Sequence, residues 1–76
     1  MASRLTLKYD RVGDILYIET CRPYPEQDSD ELGDEIIARS NPGTGQVESL
    51  EILFFSRRLR DGLCELPVTA EMYPAK

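Results

Sequence analysis

The sequence predicts an α+β domain in which a four-stranded antiparallel β-meander, made of two hairpins, is followed by one short C-terminal helix. Apolar and polar residues alternate in several short runs, which is the period of a strand with one buried face. Turn-forming residues interrupt the runs, and a short segment rich in arginine and leucine follows the last one. With 76 residues, the chain is expected to form one small domain, 1–76, that buries only about 60% of its unfolded surface.

The first predicted hairpin covers residues 5–20. Segment 10–13 supplies its reversal, because Asp10 can accept bonds from nearby backbone amides and Gly13 can adopt a positive φ. The returning strand has apolar residues on both of its faces, so we expect both faces to be covered. These residues are Leu16 and Ile18 on one face, and Ile15 and Tyr17 on the other.

An acidic loop is predicted over residues 21–33, where the periodicity gives way to prolines and carboxylates. A second hairpin is predicted over residues 34–54, with Pro42-Gly43 at the centre of a type II turn. Along its return strand, Leu50, Ile52 and Phe54 would face one way, but Val47 is out of step with them. This mismatch predicts a β-bulge near Glu48 or Ser49.

The C-terminal part is predicted to form a helix over residues 56–63 and an extended tail over residues 64–76. Ser56 can cap the helix by accepting a bond from an otherwise unpaired amide. Three arginines are expected to point to solvent: Arg57, Arg58 and Arg60. The helix is expected to pack on one face of the sheet, and the predicted core consists of Leu7, Leu16, Ile18, Ile36, Leu50, Ile52, Phe54 and Leu59.

The charge balance excludes several classes of partner. Nine basic and fourteen acidic residues give a net charge of -5, which offers no long-range attraction to nucleic acid or to anionic lipid and favours a basic protein partner. The longest apolar run, 52–55, is far shorter than the ~20 residues of a membrane-spanning helix. Cys21 and Cys64 stand alone and the start lacks a signal-peptide pattern, so a cytoplasmic location is expected.

A catalytic site finds little support in the residue types present. Histidine is missing, which removes the commonest general base, and without an imidazole nearby Cys21 and Cys64 are interpreted as structural thiols. Asp10, Asp14 and Tyr17 define the alternative, a small-ligand-binding protein or minor hydrolase, because glycosidases use paired carboxylates. A domain of this size rarely builds the necessary pocket, so fastening of the turn is the favoured role for both aspartates.

No cofactor or metal is predicted. The acidic loop begins like a calcium-binding EF-hand at Asp28, but Arg39 occupies the twelfth position, where a bidentate glutamate is required. A weak divalent-ion site stays open as an alternative, and its ligands would be Glu26, Asp28, Asp30 and Glu31. The segment 41–46 joins two strands and lacks a lysine and a following helix, so it is interpreted as a turn and not as a phosphate-binding loop.

Several motifs distributed over residues 5–59 carry a family resemblance. They are Tyr9-Asp10, Asp14-Ile15-Leu16-Tyr17-Ile18, the acids before Ile36-Ile37, Gly45-x-Val47-x-x-Leu50-Glu51-Ile52-Leu53, and Ser56-x-x-Leu59. The chain resembles domain-of-unknown-function family 2283, a group of small bacterial and archaeal proteins. The resemblance implies an antiparallel sheet with a small helix and no established activity. Relatives end the third strand with aspartates where this chain has Ala-Arg-Ser-Asn at 38–41, so no acidic site is carried over.

The sequence therefore predicts a non-catalytic protein-interaction module. A thin core favours self-association, and we expect a homodimer in which a second copy covers the face left open by the helix. The interface residues predicted on that face are Ile15, Tyr17, Ile37 and Leu53. A basic protein is the expected additional partner.

Overall fold

The computed structural model describes residues 4–75 and confirms the α+β class, but its antiparallel sheet has five strands and not four. The strands are β1 (Thr6–Asp10), β2 (Ile15–Glu19), β3 (Asp28–Gly33), β4 (Ile36–Ser40) and β5 (Val47–Leu53). One helical turn, α1 (Phe55–Arg58), continues into a 3₁₀ turn at Leu59–Asp61. None of these helices is long and apolar enough to cross a membrane.

The strand order is β1-β2-β5-β4-β3, and every neighbouring pair is antiparallel. Both predicted hairpins exist, as β1–β2 and β4–β5. The topology differs from a simple meander, because segment 20–27 crosses one end of the sheet to reach the far edge strand, β3. As a result β5 becomes the central strand, with β2 on one side and β4 on the other.

The fifth strand, Asp28–Gly33, corrects the acidic loop predicted over residues 21–33. All of its residues except Leu32 are exposed, so no buried face imposes a period of two on the sequence. Its pairing with β4 requires only backbone hydrogen bonds. Charged side chains are common on edge strands because they discourage pairing with other chains.

The two-residue turn between β3 and β4 is strained. Asp34 and Glu35 have φ angles of 56° and 61°, the left-handed conformation that both central positions of a type I′ turn require. Glycine is the usual residue at the second position, and a residue with a Cβ costs roughly 1–2 kcal/mol there.

Replacement of Glu35 by glycine is therefore expected to raise the free energy of unfolding by about 1 kcal/mol, because the Cβ strain disappears while glycine loses more chain entropy. Urea unfolding monitored by circular dichroism measures the change. Glu35→Ala is the matched control, since it removes the same side-chain charge but keeps the Cβ. Equal stability of the two variants would contradict the strain argument.

The other hairpin turns place their positive φ angles elsewhere than predicted. In the first turn Asp14, with φ of 55°, adopts the left-handed conformation expected for Gly13. Glycine is still suited to position 13, because a Cβ there would lie 2.9 Å from Asp10 Oδ2. In the second turn the left-handed residue is Gly45, with φ of 76°, and not Gly43, so the predicted type II turn is wrong.

The predicted β-bulge is confirmed at Glu48. Arg39 pairs with Ser49 and the next residue, Ser40, pairs with Val47, which leaves Glu48 as the extra residue of β5. A bulge of this kind redirects a side chain away from the regular ladder.

The core lies on one face of the three inner strands. Its buried residues are Leu16, Ile36, Ala38, Leu50 and Ile52. Leu66 and Val68 of the tail pack against them, together with Phe55. The tail therefore supplies much of the cover that was expected from the helix, which has no buried residue.

Three predicted core residues are wrong. Leu7 is 61% exposed because β1 is an edge strand, with no further strand beside it in the described part of the chain. Phe54 adopts a left-handed conformation between β5 and α1, and this turns its side chain outward. Leu59 is exposed because the helix is shorter than the predicted 56–63.

Candidate functional site

The two aspartates at the first turn have separate structural roles. Asp10 Oδ1 accepts hydrogen bonds from the amides of Val12 and Gly13, at 3.0 and 3.2 Å, as predicted for the fastening of a turn. Asp14 instead binds Tyr9, five residues earlier, and Ser56, 42 residues later. Its Oδ1 accepts the Tyr9 hydroxyl at 2.6 Å and the Ser56 amide at 3.0 Å, and its Oδ2 accepts the Ser56 hydroxyl at 2.8 Å.

Asp14 therefore does for α1 what Ser56 was predicted to do. The position before the helix is Phe54, which makes no side-chain cap bond, whereas the Asp14 carboxylate receives an otherwise unpaired amide of the first turn. The Asp14 carbonyl also accepts the Phe55 amide at 3.0 Å. One residue of the first hairpin thus positions the start of the helix.

The hydrogen bonds to Asp14 also favour the charged form of its carboxylate. The bond from Tyr9 is the main cause that lowers the pKa of Asp14, and the two bonds from Ser56 act in the same direction. The same bond raises the pKa of Tyr9, since loss of its proton would leave two negative groups in contact. A carboxylate held in its charged form by three donors is suited to structural fastening and not to proton transfer near neutral pH.

Tyr17 is not among the hydrogen-bond partners of Asp10 or Asp14. It pairs with Lys8 across β1 and β2, and the Lys8 Nζ lies 5.0 Å from the centre of its ring. Tyr9, the partner of Asp14, belongs to the opposite face of the sheet, where it pairs with Leu16. The structure therefore does not bring Asp10, Asp14 and Tyr17 together as one polar site.

The face of the sheet opposite the core, which we call the open face, contains the four predicted interface residues. All four are half-buried, and they are Ile15, Tyr17, Ile37 and Leu53. The part of the tail that touches the core lies on the other side of the sheet. The open face thus presents apolar side chains on its central strands.

Ion pairs accompany these apolar residues. Lys8 Nζ lies 3.5 Å from Glu19 Oε1, and Arg39 Nε donates to Glu51 Oε2 at 2.7 Å. The two glutamate side chains are only 12% and 13% exposed, because neighbouring side chains on the strands cover them. These two ion pairs close within the chain, whereas Asp10 and Glu31, which by strand register lie at the two edges of the same face, add negative charge there.

A polar cluster around Glu48 was not predicted. Glu48 Oε1 accepts the Tyr24 hydroxyl at 2.6 Å and Gln27 Nε2 at 3.0 Å, and Oε2 accepts Asn41 Nδ2 at 3.4 Å. Its carbonyl accepts the Thr20 amide at 2.9 Å. The phase change at the bulge was the only signal in the sequence, and it did not show which residues of the crossing segment 20–27 would bind there.

The Tyr24–Glu48 bond predicts a specific pH dependence. This hydrogen bond, together with the Glu48 charge, raises the pKa of Tyr24 to about 12 from an ordinary value of 10.0. Because the pKa of Tyr24 is raised in the folded state, the stabilisation that its hydrogen bond to Glu48 gives the fold is fully present below about pH 10. It is lost as the pH rises through about 12. The free energy of unfolding should therefore decline over that interval by more in the wild type than in Tyr24→Phe.

Absorbance titration at the phenolate band provides the direct measurement. Tyr24→Phe should remove the ionisation step with a midpoint near 12 and leave the other steps in place. Persistence of that step in Tyr24→Phe would show that the hydrogen bond does not control it.

Arg58 corrects the expectation that all three arginines point to solvent. Its Nε donates to the Leu53 carbonyl at 2.7 Å, its Nη2 donates to the Asp34 carbonyl, and its Nη1 lies 3.5 Å from Asp34 Oδ2. Its side chain is only 17% exposed, whereas that of Asp34 is 92% exposed. Arg58 thus joins the end of β5 to the strained turn between β3 and β4.

Residues 4–75 contain no assembled cluster of metal-ligating side chains. No three of the described aspartate, glutamate and cysteine side chains are grouped so that they could hold an ion. Asp28, Asp30 and Glu31 of the proposed divalent-ion site are instead spaced along the edge strand β3. Cys21 and Cys64 are free thiols.

A groove of about 720 Å³ lies between the core face and the tail. Its walls are mainly apolar and include Leu5, Ile18, Leu50, Val68 and Tyr73. The Glu48 carboxylate at its side is already bound by three donors. Glu48 is therefore not free to bind a ligand in the groove, whose other polar lining residues include Arg4, Thr69 and Glu71.

The fold and these contacts define a small α+β protein whose hydrogen-bonded polar groups hold the sheet, turns and helix together. Comparison with curated proteins and with solved structures gives no match. The chain belongs to the family described as "Protein of unknown function (DUF2283)", whose model matches residues 6–56. The matched range runs from the start of β1 to Ser56, the residue that binds Asp14.

Proposed function

We propose that this protein is a non-catalytic, cytoplasmic interaction module that self-associates through its open face and binds a basic protein partner. The observation that carries the proposal is the open face itself, where Ile15, Tyr17, Ile37 and Leu53 form a half-buried apolar surface beside internally compensated ion pairs. A two-fold dimer requires a surface that can meet a copy of itself without charge repulsion. The central part of the open face, which is partly apolar and has its ion pairs closed within the chain, meets that requirement.

The polar groups also favour a binding module over an enzyme. Asp10 and Asp14 are engaged by turn and helix donors, and Tyr17 lies against Lys8 on the face opposite to Tyr9, the partner of Asp14. A hydrolase that used these three residues would need them to converge in one pocket. Two free thiols are consistent with a reducing compartment.

An acidic edge supports the basic partner. Five exposed acids lie on β3 and its turn: Asp28, Asp30, Glu31, Asp34 and Glu35. The net charge of -5 would add to the attraction of a basic protein at low salt.

Light scattering during size-exclusion chromatography tests self-association. At tens of micromolar the wild type is expected to have at least twice the chain mass of 8.7 kDa. Ile37→Lys places a charge on the open face and should lower the measured mass. Val12→Lys is the matched control, because Val12 is fully exposed at the first turn. A wild type that stays monomeric would contradict this part of the proposal.

Titration with a lysine-rich peptide tests the acidic edge. Binding should weaken as salt rises, and it should weaken further when Asp28, Asp30 and Glu31 are replaced by their amides. Replacement of Asp10 is not a suitable control because it would also release the first turn. Unchanged binding by the amide variant would exclude β3 as the contact.

A further inference from the structure

The edge strand β1 differs from the other edge of the sheet. All five of its residues are exposed, and on the core side of the sheet Leu7 is 61% exposed and Tyr9 44%. Leu5, just before the strand, continues the apolar row and is 51% exposed. An edge strand with free backbone groups and an exposed apolar row is a template for pairing with another strand.

The opposite edge cannot pair with a copy of itself in the same way. β3 contains Asp28, Asp30 and Glu31 and no basic residue, so two copies in contact would place like charges side by side. β1 and the residue pair before it contain both signs, with Arg4, Lys8 and Asp10. Only β1 therefore combines apolar exposure with charges that can complement those of a second copy.

We propose that two copies of the chain pair antiparallel through β1, with Leu7 on the two-fold axis, to form one continuous ten-stranded sheet. The surface is distinct from the open face, so the inference goes beyond the proposed function and does not depend on it. A pair of this kind places the open faces of both copies on the same side of the sheet.

The register follows from the charges. In a continuous sheet, the core-side residues of one copy must lie beside the core-side residues of the other. Paired residues must therefore both be odd-numbered or both be even-numbered, so the two-fold axis passes between one residue and its own copy. An axis at Thr6 would set Arg4 opposite Lys8 of the second copy, and an axis at Lys8 would set two lysines opposite each other. Both arrangements place like charges in direct pairs, which destabilises a sheet.

An axis at Tyr9 would also avoid like charges, since it pairs Lys8 with Asp10, but it would set Leu7 opposite Arg11 and so separate the apolar rows. An axis at Leu7 avoids the repulsions and keeps the apolar rows together. It pairs Arg4 with Asp10 of the second copy twice, once on each side of the axis. On the other face it places Leu7 beside its own copy and Leu5 beside Tyr9 of the second copy, so the exposed apolar rows meet. Asp10 can take part because its Oδ1 accepts both turn amides, which leaves Oδ2 without a hydrogen bond among residues 4–75.

Disulfide trapping tests the register. In antiparallel pairs the facing Cα atoms lie about 4.5 or 5.5 Å apart, within the range of roughly 4.4–6.8 Å that a disulfide bridges. Single cysteines would be placed at Thr6, Leu7 and Lys8 in a Cys21→Ser, Cys64→Ser background and oxidised with oxidised glutathione. Leu7→Cys alone should form a covalent homodimer on a non-reducing gel, and mixed Thr6→Cys and Lys8→Cys proteins should form the heterodimer.

Other cross-linking patterns overturn the inference. Preferential homodimers of Thr6→Cys or Lys8→Cys would assign another register, and no cross-link in any variant would show that the two copies do not pair through the middle of β1. As a charge test, Arg4→Glu should raise the dissociation constant of the pair by about tenfold, as expected for two exposed charge contacts made repulsive, whereas Arg4→Lys should leave it nearly unchanged.

The open face and β1 are tested independently. Ile37→Lys, combined with Leu7→Cys, should still give the covalent homodimer, because the β1 pairing makes no contact through Ile37. Loss of the cross-link in that combination, with circular dichroism unchanged, would contradict a separate β1 interface. If only the association through the open face fails, the Leu7→Cys disulfide between two copies should still form.

Discussion

Replacement of Ile52 by alanine is expected to lower the free energy of unfolding by roughly 2–5 kcal/mol. Ile52 is 1% exposed in the central strand β5, and its cross-strand neighbours are Leu16 on one side and Ile36 on the other. Removal of its side chain would leave a cavity between these two residues. A domain of this size has a small reserve of stability, so a large unfolded fraction is expected at 37 °C.

Leu7→Ala is the matched control, because Leu7 was predicted from the same alternating pattern to belong to the core. At 61% exposure its truncation should cost less than about 1 kcal/mol in dilute protein, where self-association does not contribute. Urea unfolding followed by circular dichroism measures both variants. Equal losses at the two positions would show that β1 is packed as deeply as β5, contrary to the structure.

Replacement of Arg58 by alanine is expected to cost roughly 1–3 kcal/mol, the usual consequence when hydrogen-bond acceptors lose their donors. The variant would leave the carbonyls of Leu53 and Asp34 without the guanidinium that now joins them. It would also release the strained turn between β3 and β4 from the end of β5. Thermal and urea unfolding should both report the loss.

Two controls separate the carbonyl bonds from the ion pair. Arg60→Ala, at an exposed position of the 3₁₀ turn, should change the stability little. Asp34→Asn removes the ion pair but keeps the Asp34 carbonyl, and since the Asp34 side chain is 92% exposed, its effect should also be small. A large effect of Asp34→Asn would mean that charge pairing, and not the carbonyl bonds, explains the role of Arg58.

The local elements followed from local patterns. Alternation identified β1 and β5, runs of β-forming apolar residues identified β2 and β4, and a change of phase identified the bulge at Glu48. These signals depend on residues close together in the sequence. The role of Asp10 in the first turn was predictable for the same reason, since its donors are two and three residues away.

The fifth strand escaped prediction because its stability comes from a neighbour. β3 has an acidic sequence with no alternation, and it exists because β4 offers it backbone partners. The same reasoning applies to the helix, which the sequence predicted to cap itself with Ser56. Its first turn is held by Asp14, which lies 42 residues earlier in the chain.

The chemistry of each side chain and the preferred local conformation of each segment are contained in the sequence pattern. Strand order is not, because Leu7 and Ile52 give equally good alternating patterns and differ only in whether strands lie on both sides of them. The placement of β5 at the centre and β1 at the edge sends Ile52 into the core and leaves Leu7 exposed. Burial, hydrogen-bond partners across the chain and the surfaces left for another copy depend on contacts between distant segments, which form only when the sheet assembles.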